Sequence, residues 1–73
     1  MTEEMRPIVL KRGENDEIRI TPKEYKGREY VDIRIFYMPE DDPEMRPTRK
    51  GIVIYKRELG KLTKALTSLY QEV

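Results

Sequence analysis

The sequence predicts an α+β fold, with four β-strands followed by one C-terminal helix. Three observations carry this. Residues 29–38 alternate, with Val31, Ile33 and Ile35 on one parity and Tyr30, Asp32, Arg34 and Phe36 on the other; successive side chains of a strand point to opposite faces. Gly51-Ile52-Val53-Ile54-Tyr55 is rich in β-branched residues, which suits another strand. Beyond it Leu59, Leu62, Leu66, Leu69 and Val73 recur at spacings of 3, 4, 3 and 4. That spacing is the a/d seam of a helix, and Ala65 and Tyr70 widen it.

The elements follow in order. Residues 1–6 mix charges with little apolar content and read as a loose arm, leaving a single domain over residues 7–73. Ile8-Val9-Leu10 is a short first strand, and Gly13-Glu14-Asn15-Asp16 has turn chemistry. Ile18 and Ile20 alternate with Glu17, Arg19 and Thr21 in a second strand. Pro22 is expected to end its regular pairing or to place it on a sheet edge. Tyr25-Lys26-Gly27-Arg28 reads as a tight turn into the third strand, which Pro39 and an acidic loop close. The stretch Glu44–Gly51, EMRPTRKG, reads as a charged turn before the fourth strand. Gly60 weakens the first helical turn by about 1 kcal/mol relative to Ala. One helix covers one sheet face, so the other is left to water, a partner or a ligand.

Composition narrows the function. The chain of 73 residues has no Cys and no His. That excludes disulfides, thiolate or imidazole metal ligands and imidazole catalysis, and a core this small invites oligomerisation as its supplement. No apolar run approaches the roughly 18 residues of a membrane span, so a soluble protein without a membrane partner is expected. Its compartment would be the cytoplasm, in association with the nucleoid, for a prokaryotic chain and the nucleus for a eukaryotic one. The four glycines are scattered, with no phosphate-binding loop, and Asp41, Asp42 and Glu44 lack the spacing of a calcium loop. No nucleophile has a base in pattern. Neither an enzyme nor a cofactor is expected.

Net charge is only +1, but it is segregated. Arg46–Lys64 contains seven cations against Glu58 alone, whereas Ile35–Met45 contains four anions and no cation. Such segregation gives a near-neutral protein a positive face. Aromatic residues interleaved with cations on a sheet suit single-stranded nucleic acid, with bases stacking on rings and phosphates following the cations. The candidates are Tyr25, Tyr30, Phe36 and Tyr37 with Lys23, Lys26, Arg28, Arg34, Arg46, Arg49 and Lys50. Aromatic residues on strands also serve as core.

Two blocks, EYKGREYVDIRIFYM and EMRPTRKGIVI, resemble the single-stranded-DNA-binding domain of the transcriptional coactivator positive cofactor four and of its stand-alone prokaryotic and viral relatives. The likeness runs from about Ile18 to Leu62. It implies a curved four-stranded antiparallel sheet followed by a helix, paired as a homodimer through helices and sheet edges, with Leu59, Leu62, Leu66, Leu69 and Val73 buried against the second copy. Each sheet would form a groove for single-stranded DNA, the two grooves antiparallel, as suits a melted duplex. Tyr25 and Tyr37 fall on the family's stacking positions. Lys23, Arg28, Arg34, Arg46, Arg49 and Lys50 fall on its backbone-contacting cations, and Lys26 lies in the adjoining turn.

Tyr37 has the parity of the aliphatic face, so a bulge near Phe36 is expected to bring it to the side of Arg34. Arg34 has Asp32 as an alternative partner on its own face. The chain departs from the family pattern in a longer loop over residues 39–44, in Thr48 for Gly, in Ile35 for an acid, in Tyr37 for Trp, and in Tyr55-Lys56 for an Asn-Pro helix start, a poor N-cap. The resemblance implies sequence-tolerant binding of single-stranded DNA in transcription or genome maintenance. The alternatives from the residues are single-stranded RNA, or a protein-interaction module docking the transcription machinery.

Overall fold

The computed structural model describes residues 6–72, so most of the expected arm and the last seam residue, Val73, lie outside the described residues. The order is β1 (Ile8–Lys11), β2 (Asp16–Tyr25), β3 (Arg28–Tyr37), β4 (Arg46–Tyr55) and α1 (Lys56–Glu72). The strands form one antiparallel meander in the order β1-β2-β3-β4. The four strands and the helix are those the pattern predicts.

Pro22 takes the second of its two expected outcomes, the sheet edge, and one boundary differs from expectation. Pro22 does not end β2, which stays paired to β3 with Pro22 opposite Val31 and Tyr25 opposite Arg28. On its other side β2 meets β1 only as far as Ile20, opposite Ile8, so among the described residues Pro22 lies on a free edge. A residue without an N–H is tolerated there. The fourth strand begins at Arg46 and not at Gly51, which makes the last six residues of EMRPTRKG strand, not turn. Pro47 is tolerated for the same reason, because β4 is the last strand of the sheet.

Strands β2 and β3 join through a two-residue turn in which Lys26 has φ 51° and Gly27 φ 81°. Positive φ at both central residues matches the right-handed twist of the strands. Gly27 adopts it freely, whereas Lys26 has to hold a conformation that L-residues disfavour.

The β2–β3 register is continuous to the pair Asp16 and Tyr37. The irregularity lies in β4, where Arg34 faces Gly51 and Phe36 faces Pro47. Thr48, Arg49 and Lys50 therefore span the place of one residue opposite Ile35. The bulge expected in β3 near Phe36 is thus found across the ladder, in β4.

Alternation then sorts the faces. Arg28, Tyr30, Asp32, Arg34 and Phe36 share a face with Tyr25, Lys23, Thr21, Arg19 and Glu17 of β2 and with Tyr55, Val53 and Gly51 of β4. The other face gathers Ile18, Ile20, Val31, Ile33, Ile35, Ile52 and Ile54.

Helix α1 touches only β3 and β4. Tyr55 offers no short side-chain acceptor to the first helical turn, but Glu58 Oε1 accepts the Tyr55 N–H at 3.0 Å, which is half of a capping box. Lys56 Nζ donates to Glu29 Oε1 at 2.8 Å, and this pairing raises the Lys56 pKa. Leu59 and Leu62 are half-buried. Farther along, Leu66, Leu69 and Tyr70 are 55%, 57% and 80% exposed. Among the described residues no hydrophobic side chain is buried, and Glu17, at 8% exposure, is the one buried residue. The single chain thus exposes its helical seam and much of its aliphatic sheet surface.

Candidate nucleic-acid interface

The polar face of the sheet is built from two neighbouring rows. Strand β2 contributes Arg19, Thr21, Lys23 and Tyr25, and β3 contributes Phe36, Arg34, Asp32, Tyr30 and Arg28, directly opposite Glu17, Arg19, Thr21, Lys23 and Tyr25 respectively. Cations therefore face rings across the strands at Lys23–Tyr30 and Tyr25–Arg28, and Arg19 faces Arg34 beside Phe36. Only Glu17 and Asp32 oppose this charge within the two rows, and both are paired. Glu17 Oε2 accepts from Arg19 Nε at 2.6 Å. Asp32 lies 3.7 Å from Lys23 Nζ, and Arg34 Nε lies 3.3 and 3.4 Å from its two oxygens.

At the hairpin end, Tyr25 is 64% exposed and Lys26 Nζ sits 5.3 Å from its ring centroid. Tyr25, Lys26, Arg28, Tyr30, Val53 and Tyr55 line a hollow of about 680 Å³. The rings of Tyr30 and Tyr55 meet edge to face, 6.2 Å apart and inclined at 61°. At the other end the Arg19 guanidinium lies 4.3 Å from the Phe36 centroid. A cation over an aromatic face is attracted by the ring quadrupole and keeps its outer N–H groups for an anion.

Arg34 occupies the middle. Its Nη1 donates to the Thr48 carbonyl at 3.0 Å, so the guanidinium fastens β3 to the bulge while binding Asp32. This explains Gly51, since a Cβ there would lie 2.7 Å from Arg34 Cζ and 2.9 Å from the Ile33 carbonyl oxygen. Both partners foreseen for Arg34 remain compatible, because a guanidinium carries five donors. Thr48 completes the bulge: its Oγ1 donates to the Ile35 carbonyl at 2.8 Å and accepts the Lys50 N–H at 3.1 Å. Thr48 thereby fixes the backbone carrying Arg49 and Lys50, both exposed.

Of the residues singled out in the sequence, Lys23, Tyr25, Arg28 and Arg34 come together on this face, with Lys26 at its hairpin rim, while Arg49 and Lys50 stand on the bulge. Tyr37 and Arg46 are a separate pair. They face each other in register on the opposite parity. With Pro39, Asp41 and Asp42 they line a hollow of about 360 Å³. Arg46 Nη2 donates to Asp42 Oδ2, and the Glu44 N–H donates to Asp42 Oδ1 at 3.0 Å. The Arg46 bond first and the Glu44 N–H second hold the Asp42 carboxyl below its usual range. The acidic loop therefore neutralises Arg46 directly.

Two members of the polar face were not foreseen. Arg19 shares its parity with Lys23 and Tyr25, a signal hidden by ending the second strand at Pro22. Tyr55 enters the site only through its register with Tyr30, which no local pattern gives.

Comparison with known proteins agrees with this architecture. A family model described as Transcriptional Coactivator p15 (PC4) matches residues 13–65. The crystal structure of a PC4 homologue from Burkholderia pseudomallei is similar at a TM-score of 0.79 and 30% identity, covering 90% of this chain and 88% of that one. A bacteriophage T5 homologue of the eukaryotic coactivator, implicated in recombination-dependent DNA replication, is similar at a TM-score of 0.74 and 28% identity, over 92% of this chain and 77% of that one. A Caenorhabditis elegans protein named as a candidate RNA polymerase II transcriptional coactivator is 43% identical over 42 residues, 58% of this chain. The match spans only 34% of that relative's length. With the family model matching most of the sequence and the same four-strand-and-helix architecture, the chain belongs to the PC4 transcriptional coactivator family.

Proposed function

We propose that this protein binds single-stranded DNA, without sequence preference, as a homodimer serving transcription or genome maintenance. The observation that carries the reading is the interleaving of Arg19, Lys23, Arg28 and Arg34 with Tyr25, Tyr30 and Phe36 on one sheet face. A duplex hides its bases from such rings, whereas a single strand offers each base as a stacking surface. Base–aromatic stacking is worth about 1–3 kcal/mol per base and accepts any base.

Cations beside the rings neutralise phosphates and release counterions, so binding weakens with salt at a log–log slope near −0.7 per phosphate neutralised. Among the candidate cations, Arg49 and Lys50 project from the bulge that Thr48 holds, and Arg46 has its charge offset by Asp42.

The homodimer rests on the exposed seam. A small domain gains stability mainly by burying apolar surface, and the described residues leave Leu66, Leu69 and Tyr70 more than half exposed. The relatives implicated in DNA replication and in transcription support a role in either process.

The test is a competition of single-stranded DNA, single-stranded RNA and duplex DNA against one labelled oligonucleotide at matched salt. Single-stranded DNA should compete best. An affinity for duplex equal to that for single strands overturns the reading, and preference for RNA reassigns the ligand.

A further inference from the structure

Tyr30 and Tyr55 close a hollow larger than one stacking ring would need. We propose that Tyr25, Tyr30 and Tyr55 form a slot for one unstacked nucleobase of single-stranded DNA, whose flanking phosphates are held by Arg28 and Arg57. This rests on the single-strand reading above and gives it a second wall, on β4, that the family's stacking positions at Tyr25 and Tyr37 do not include.

Three observations converge. The first is space: the hollow of about 680 Å³ falls within the usual range of small-molecule clefts, about 300–1,000 Å³. Its lining of three rings and two cations matches a base with its phosphate. The second is geometry. Tyr30 and Tyr55 meet edge to face at 61°, so each ring keeps at least one face that the other does not cover. The Arg57 guanidinium lies 5.2 Å from the Tyr55 centroid, as Lys26 lies 5.3 Å from that of Tyr25. A cation on one side of a ring leaves its other side to stack. Arg28 and Tyr55 also border a second hollow of about 310 Å³ with Arg57, so cations continue past the rings.

The third observation concerns the helix. Tyr55 occupies the position before α1 where Ser, Thr, Asp or Asn supplies a capping oxygen. Capping falls to Glu58 alone, through the Tyr55 N–H. A ring at this position supplies no capping acceptor, while its register partner is Tyr30. The slot accounts for an aromatic residue where helix formation favours a small polar one.

The same argument supplies the test. Tyr55→Asn removes the ring and adds a capping oxygen, so the helix should melt no earlier than in the wild type. Affinity for a single-stranded DNA oligonucleotide should fall by about 5- to 150-fold, the equivalent of one stacking contact. The salt slope should stay unchanged, because no phosphate contact is lost. Tyr30→Leu should weaken binding similarly, and the double variant by less than the product, since both rings serve one slot.

An oligonucleotide series with a single abasic position should show one position whose loss weakens the wild type but not Tyr55→Asn. Binding by Tyr55→Asn and Tyr30→Leu within twofold of the wild type, while Tyr25→Leu is weakened, overturns the slot and leaves the single-strand reading intact. A wild type with no preference for single strands over duplex overturns both.

Discussion

Replacing Leu66 and Leu69 together by Ala should dissociate the proposed dimer. The two side chains are 55% and 57% exposed in the single chain, so their own helix covers less than half of each. Full burial of a Leu side chain is worth about 1.5–3 kcal/mol. Covering the remaining half is therefore worth about 1 kcal/mol per residue, or roughly 4 kcal/mol for two residues in each of two symmetric chains. A loss of that size raises the dissociation constant by about 10³-fold. Alanine is the best helix former, so α1 itself is not compromised. Sedimentation equilibrium over a dilution series measures the shift. In parallel, melting of the wild type should depend on protein concentration, because unfolding is then linked to dissociation. An association constant within threefold of the wild type, or melting independent of concentration, would refute the argument that a second copy covers the seam.

Three further outcomes follow from the site. Arg49→Ala with Lys50→Ala should flatten the salt dependence of single-strand binding by roughly 1–2 units of log–log slope, measured by titration at several salt concentrations; an unchanged slope removes the bulge from the interface. Gly51→Ala should destabilise the protein by about 1–3 kcal/mol in urea unfolding, because the new methyl meets the backbone oxygen of Ile33 as well as Arg34; an unchanged midpoint contradicts that packing. Asp42→Asn tests the Arg46 pair through pH. The Asp42 carboxyl is held below its ordinary value, so its contribution is fully present above the unfolded pKa, near 4, and is lost as pH falls through the lowered one. Thermal melts of wild type and variant should separate above that value and converge toward the acid end, and parallel curves would contradict the pairing.

The legible parts of the sequence were those with an uninterrupted period. Strand β3 announces itself by alternation, and α1 by its leucines, because nothing in either breaks the repeat. Strand β4 was half hidden, because Pro47, Arg49 and Lys50 look like a turn; the position of β4 at the sheet edge makes proline acceptable, and that position is a property of the whole sheet. Pro22 left two outcomes open, strand end or sheet edge, for the same reason. Tyr37 and Arg46 show a different limit. The resemblance implies binding roles for both, but the β2–β3 register stays continuous and the compensating bulge lies on β4, so strict alternation puts the pair on the other parity. Arg19 was readable from parity with Lys23, whereas Tyr55 needed the cross-strand register.

The bulge also governs what the open edge of the sheet accepts. An outermost strand offers unpaired N–H and C=O groups to any passing chain and is a hazard for fibril-like growth. In β4, Pro47 withholds one donor, and Thr48–Lys50 break the spacing a flat neighbour would need. Arg49 and Lys50 add like charge against a copy of themselves. Only Gly51–Tyr55 keeps the regular two-residue repeat. Strand addition on this side is thereby confined to a five-residue window, long enough to register one neighbour and too short to propagate a stack.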